Sequence, residues 1–259
     1  MDNTRRFKLI VQLLILVIVS AGFICLQPKH KLYVIGDSTV RNSNKETWGW
    51  GTFIGKAFDT SRLVTENQAI AGRSTRTFLK EGRWDKVLAS LQPGDYVMMQ
   101  FGHNDGSFPD TTRSGSRGAL RGTGEETRQL QWKDGTIEVV HTYGWYLRKF
   151  VRETKAKGAT PIVISMIPRN IFKDGKVERV SGSFGKWAAE VAAQEGAFFI
   201  DLNSLVADKY DAMGPEKVKE FFPGDHTHTN AKGAELNAAT IIEGLRNLKD
   251  CSLNEFLVK

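Results

Sequence analysis

Apolar runs of strand length recur along this chain, and between them lie longer stretches with apolar residues three or four apart. Residues 32–36 read as a first strand, 63–66 as a second and 96–101 as a third. Residues 161–167 give a fourth and 197–200 a short fifth. The intervening patterns predict helices over 49–58, 84–91, 143–157, 184–195 and 231–248. The last follows Asn230, a good helix cap, and keeps Ala234, Ala238, Ile241, Ile242 and Leu245 on one stripe. Continuous apolar strands alternating with helices predict an α/β fold, a parallel sheet covered on both faces. Ligands of such sheets bind where the strands end and the helices begin.

Residues 106–140 break the rhythm. They are rich in Gly, Arg, Ser and Thr, with Gly115, Gly118, Gly122 and Gly124, and hold no sustained period. A structureless connection this long inside one domain predicts a functional loop over the end of the third strand. The alternative is an ordinary surface excursion. No repeat or low-complexity linker divides the chain, so one domain is expected from residue 31 to residue 259.

The first 26 residues stand apart. Arg5, Arg6 and Lys8 precede an apolar stretch over 9–26 that only Gln12 and Ser20 interrupt. This predicts a secretory signal with Ser20-Ala21-Gly22 as the cleavage region. An uncleaved membrane anchor and lipid attachment at Cys25 are the alternatives, the latter disfavoured by bulky Phe23 and Ile24. Each places the folded domain outside the cytoplasm, secreted or periplasmic, with membrane contact only if the segment is retained. Removing it leaves about 230 residues, enough for one well-buried domain. The leader accounts for two of the net +7 charges, and the rest form no basic block suited to a nucleic-acid backbone. Cys25 and Cys251 are the two cysteines, too few for a disulfide framework.

Four short motifs carry the chemistry: Gly36-Asp37-Ser38-Thr39, Ala71-Gly72-Arg73-Ser74, Gly102-His103-Asn104-Asp105 and Asp225-His226-Thr227-His228. Ser38 follows a buried strand at a strand-to-loop corner, the place for an exposed nucleophilic hydroxyl. Asp37 beside it is expected to brace the turn by accepting backbone hydrogen bonds. A base is needed, and Asp225 and His228 are spaced so that the carboxylate can orient the imidazole toward Ser38. His226 is the competing histidine and is expected to support the loop. The developing oxyanion needs donors, which Gly72 N–H, Asn104 and the Ser38 amide can supply. Asn104 as a turn residue tied to Asp105 is the alternative. A metal held by Asp225, His226, His228 and His103 is disfavoured, because no second carboxylate stands at helical spacing. Acyl transfer by these residues requires no cofactor.

The four blocks resemble those of the SGNH (GDSL-like) hydrolases over residues 31–248. Within that superfamily the chain is most similar to the rhamnogalacturonan acetylesterases, carbohydrate esterase family 12. Asn67-Gln68-Ala69, residues 71–76, residues 122–126 and Pro168-Arg169-Asn170 also support the likeness. The resemblance implies a three-layer α/β/α sandwich with a five-stranded parallel sheet. It implies Ser38 as nucleophile, Asp225 and His228 as acid and base, and Ser38, Gly72 and Asn104 as oxyanion donors. Thr39 stands where the superfamily block carries leucine. The implied activity is removal of acetyl groups from a plant cell-wall polysaccharide, most closely pectic rhamnogalacturonan, and a monomer is expected. Arg73, Arg76 and Arg169 are candidates for pairing with uronate carboxylates. An acetylxylan or general short-chain esterase is the alternative enzyme. A noncatalytic glycan-binding protein is the alternative class.

Overall fold

The computed structural model describes residues 29–42, 44, 46–112 and 115–258. The predicted leader and Cys25 lie outside them; Cys251 is buried and free. No helix among the described residues is long and apolar enough to cross a membrane.

In chain order the strands are β1 (His30–Gly36), β2 (Leu63–Asn67), β3 (Tyr96–Gln100), β4 (Thr127–Gln131), β5 (Ile137–His141), β6 (Thr160–Ile164), β7 (Phe172–Lys173), β8 (Lys176–Val177) and β9 (Phe198–Ile200). The helices are α1 (Thr75–Lys80), α2 (Arg83–Ser90), α3 (Tyr143–Ala156), α4 (Phe184–Glu195), α5 (Leu202–Met213), α6 (Pro215–Lys219) and α7 (Ala231–Arg246). Five strands form one sheet in the order β2-β1-β3-β6-β9, and every neighbouring pair is parallel. This is the α/β fold and five-stranded parallel sheet anticipated above.

Alternation of side chains across the pleat divides the molecule into two cores. Leu32, Val34, Met98, Ile162 and Ile164 face α5 and α7 with the segment around Trp50. Tyr33, Ile35, Val97, Met99 and Val163 face α2, α3 and α4. That double burial explains why the central strands read as unbroken apolar runs. On the second side Phe78, Trp84, Phe101 and Phe150 meet with ring centroids 4.8–6.3 Å apart. Their tilted and edge-on contacts tie α1, α2 and α3 to the chain leaving β3.

Two expectations change. Residues 49–58 form two 3₁₀ turns, Trp50–Thr52 and Ile54–Ala57, in place of a helix. Gly49, Gly51 and Gly55 weaken any α-helix there. Gly51 also packs where a Cβ would lie 2.8 Å from the Val40 carbonyl. Residues 106–140 are not structureless, because β4 and β5 pair as an antiparallel hairpin. Its turn is closed by Gly135 N–H donating to Trp132 O at 3.0 Å and Thr136 N–H donating to Asp134 Oδ1 at 2.9 Å. The Asp134-Gly135 pair is a hairpin signal in the sequence itself.

Candidate active site

The order of the strands reverses between β1 and β3, leaving a crevice beyond their carboxyl ends. Ser38 leaves β1 on one side of it and residues 102–105 leave β3 on the other. The two turns approach closely, since a Cβ on Gly36 would fall 2.5 Å from the Gln100 carbonyl. A buried polar chain pins the Ser38 turn. Trp50 Nε1 donates to Gln100 Oε1 at 2.8 Å, and Gln100 Nε2 donates to Thr39 Oγ1 at 2.6 Å. Thr39 Oγ1 in turn donates to Asp37 Oδ1 at 2.7 Å, which also accepts Thr39 N–H at 2.8 Å. Asp37 therefore braces the turn, and the threonine hydroxyl has work that a leucine could not do. Burial pushes the Asp37 carboxyl up to about 6 despite the Thr39 hydrogen bonds.

Ser38 is nearly buried, with its Oγ 2.8 Å from His228 Nε2. His228 Nδ1 lies 2.6 Å from Asp225 Oδ2. Burial raises the Asp225 carboxyl, but hydrogen bonds from the His228 ring and from the His228 and Thr227 amides outweigh it and hold it at about 2. An ionised carboxylate only accepts, so Nδ1 carries the proton and Nε2 accepts from the Ser38 hydroxyl. The turn is local: Asp225 Oδ1 accepts Thr227 N–H at 2.6 Å and His228 N–H at 2.8 Å. Asn230 then caps α7 through Gly233 N–H. His226 points elsewhere, with Nδ1 2.8 Å from Thr227 Oγ1, and its carbonyl accepts Asn170 N–H.

Across the crevice Asn104 Nδ2 donates to the Arg73 carbonyl at 3.1 Å. Gly72, two residues after Ile70, has φ +78°, a conformation that glycine adopts without strain. Asp105 joins these two segments, because its buried Oδ1 accepts both the amide and the hydroxyl of Thr75. Burial pushes the Asp105 carboxyl up to about 7, against the Thr75 hydrogen bonds and with help from the nearby Asp37 charge. Asn104 is thus held by Arg73, and its side chain does not make the alternative tie to Asp105.

The three candidate arginines separate. Arg76 is 1 % exposed; its Nε and Nη2 donate to Glu138 at 2.7 and 2.9 Å and its Nη1 to the Gly118 carbonyl at 2.8 Å. With every face committed inside the protein, Arg76 is a brace for the hairpin and not a substrate contact. Arg73 donates to Glu81 Oε2 at 3.0 Å and to its neighbour carbonyl Ala71 O at 2.9 Å. Arg169 is half-buried beside His103, and its Nε has no partner among the described residues.

Arg117 was not singled out by the sequence. Its Nη1 donates to Asn104 Oδ1 at 3.0 Å. It lies in an aperiodic segment among similar arginines, so no local pattern marks it. Arg117, His103, Asn104, Phe108 and Ser116 line a cavity of about 540 Å³. Residues 107, 108, 110 and 115–117 therefore wall this cavity beside Asn104. Both His103 ring nitrogens are buried without a partner among the described residues. Burial first, then the charges of Arg169, His228 and His226, push its pKa down to about 3, so the ring is neutral. No group of three or more His, Cys, Asp or Glu able to hold a metal occurs among the described residues.

A hydrogen-bonded serine, histidine and carboxylate at the switch point of a 2-1-3 parallel sheet is the arrangement of an α/β serine hydrolase. Residues 34–236 match the GDSL-like Lipase/Acylhydrolase family, and the chain belongs to it. A rhamnogalacturonan acetylesterase of Emericella nidulans is 34% identical over 214 residues, 83% of this chain and 84% of the relative. A probable rhamnogalacturonan acetylesterase of Bacillus subtilis, YesY, is 29% identical over 89% of this chain and 98% of its own. Among solved structures, the YxiM protein of Bacillus subtilis superposes with a TM-score of 0.68 at 26% identity. The match covers 86% of this chain but 58% of that longer one. The acetylxylan esterase Axe2 of Geobacillus stearothermophilus shares the fold, with a TM-score of 0.58 at 18% identity over 83% of this chain and 94% of that one.

Proposed function

We propose that the protein is a serine esterase that removes acetyl groups from pectic rhamnogalacturonan. The observation that carries the reading is the hydrogen-bonded line from Ser38 through His228 to Asp225, with Asn104 and Gly72 across the crevice. Ser38 Oγ attacks the acetyl carbonyl carbon while its proton passes to His228 Nε2. The carbonyl oxygen becomes an oxyanion, held by Gly72 N–H, Asn104 Nδ2 and the Ser38 amide. As the tetrahedral centre collapses, the C–O bond to the sugar breaks and His228 returns the proton to the departing sugar oxygen. The acetyl group now sits on Ser38. Water gives a proton to His228, attacks the acyl carbon through a second oxyanion, and releases acetic acid and free Ser38 as the proton returns to Oγ. Asp225 keeps one imidazole tautomer throughout and stabilises the imidazolium.

The sugar class rests on the relatives, because nothing in this chemistry distinguishes one short ester from another. Arg169, half-buried beside His103 with an Nε that has no partner among the described residues, supports a substrate bearing carboxylates. The basic and apolar N-terminal run supports export, where such a polymer is met. Acetate release from acetylated rhamnogalacturonan fragments, compared with acetylated xylan at matched acetyl concentration, tests the reading. The pectic substrate is expected to be favoured. Faster release from xylan would replace it with the acetylxylan reading, and no release from any acetyl ester would leave a glycan-binding protein.

A further inference from the structure

An asparagine amide can serve an oxyanion only if its nitrogen end faces the reacting carbonyl. A half-turn about the side-chain torsion would present the oxygen instead and repel the developing charge. Asn104 is held at both ends: Oδ1 accepts from Arg117 Nη1 at 3.0 Å, and Nδ2 donates to the Arg73 carbonyl at 3.1 Å. A guanidinium has donors and no acceptor, and a carbonyl has no donor. The flipped amide would set N–H against N–H at one end and oxygen against oxygen at the other. One N–H of Nδ2 remains for the substrate.

Arg117 is launched from a fixed point. Ser74 Oγ donates to its carbonyl at 2.5 Å, Arg76 Nη1 donates to the Gly118 carbonyl at 2.8 Å, and Ala119 N–H donates to Asp105 O at 3.1 Å. The same guanidinium lies against Gly72, where a Cβ would stand 3.2 Å from Nη1. One cation therefore lies against the two segments that carry the Asn104 and Gly72 donors.

Resting on the esterase reading above, we propose that Arg117 is a positioning residue for ester cleavage, locking the Asn104 amide with its nitrogen toward the oxyanion. Its charge-assisted bond also polarises the amide and strengthens the donor that remains. The effect belongs to the transition state and not to substrate binding.

Kinetics on 4-nitrophenyl acetate, which is small and uncharged outside its reacting part, test this with the full chain. Arg117→Ala should lower kcat about 10- to 100-fold, a fraction of the usual cost of losing a whole oxyanion donor, with KM changed less than about twofold. Arg117→Lys, which keeps a charged donor, should recover part of the loss, as should free guanidinium added to Arg117→Ala. The double variant Asn104→Ala/Arg117→Ala should lose no more than Asn104→Ala alone, because Arg117 acts through that amide. Thermal melts of each variant establish that it is folded. Wild-type kcat in Arg117→Ala, or losses that multiply in the double variant, would overturn the proposal. So would a loss confined to KM for a carboxylate-bearing oligosaccharide, which would make Arg117 a substrate contact. These outcomes leave the esterase reading intact. A wild-type protein that hydrolyses no acetyl ester overturns both.

Discussion

His226 and His228 differ by two positions in sequence and by everything in environment. His228 bridges Ser38 and Asp225, whereas His226 is exposed and turned to Thr227. His228→Ala should therefore cut turnover of an acetyl ester by about 10⁴-fold or more, as loss of a member of a Ser-His-Asp set does. His226→Ala should stay within a few-fold of wild type. Comparable losses in both would move the base assignment off His228. Ser38→Ala should abolish turnover while leaving the melting temperature close to wild type, since it removes one hydroxyl. Asn104→Ala is expected to lower kcat by about 10²- to 10³-fold, the cost of one oxyanion donor. A change confined to KM would instead assign Asn104 to ground-state binding. At this scale the sequence was informative because Ser38, Gly72 and Asn104 lie in loops following strands and the Asp225–His228 turn is closed by its own backbone amides. Arg76 was misread for the opposite reason. Its partner Glu138 is 62 residues away, and no local rule reports such a contact.

The elements around α1 act as a clamp. Arg76 joins α1 to β5 through Glu138 and to the cavity wall through the Gly118 carbonyl, while Thr75 joins α1 to Asp105 after β3. Burial raises the Glu138 carboxyl, but hydrogen bonds from Arg76, Lys80 and Trp132 and the Arg76 charge hold it at about 2. Removing Arg76 takes away two of the four hydrogen bonds to Glu138 and leaves the Gly118 carbonyl unpaired, while Lys80 and Trp132 still hold the carboxylate. Arg76→Ala should cost about 2–3 kcal/mol of stability, read as a lowered urea midpoint at unchanged slope. A loss under about 1 kcal/mol would mean that the pair is effectively solvated. The long helices α3, α4 and α7 were legible because their apolar stripes run for three turns or more. The six-residue α1 was not, although Ser74 and Thr77 form a capping box there. Nor was α5, despite Asp201 as its cap, because its pattern follows directly on a three-residue strand.

Across the whole molecule, buried groups beside the crevice make stability depend on pH in two opposite ways. His103 has a folded pKa of about 3 against about 6.5 unfolded, so between those values the unfolded chain binds more protons. Its contribution is lost as pH falls through that window. Asp37 and Asp105, raised to about 6 and 7, bind more protons when folded than unfolded above about pH 4. Their contribution is lost as pH rises from there toward 7. Asp105→Asn cannot titrate, so its unfolding free energy relative to wild type should improve steadily between about pH 4 and 7. Urea melts across that range measure the difference, and a constant gap would show that Asp105 does not ionise there. The sequence by itself determined the layered sheet and the positions of the four blocks, because both depend on local periodicity and on residues a few positions apart. Only the tertiary structure decided that Arg76 is a buried brace and that Arg117 reaches Asn104. The arginines are chemically identical along the chain. What separates them is which distant carboxylate or carbonyl the packed fold delivers to each guanidinium, and that is a property of the assembled layers.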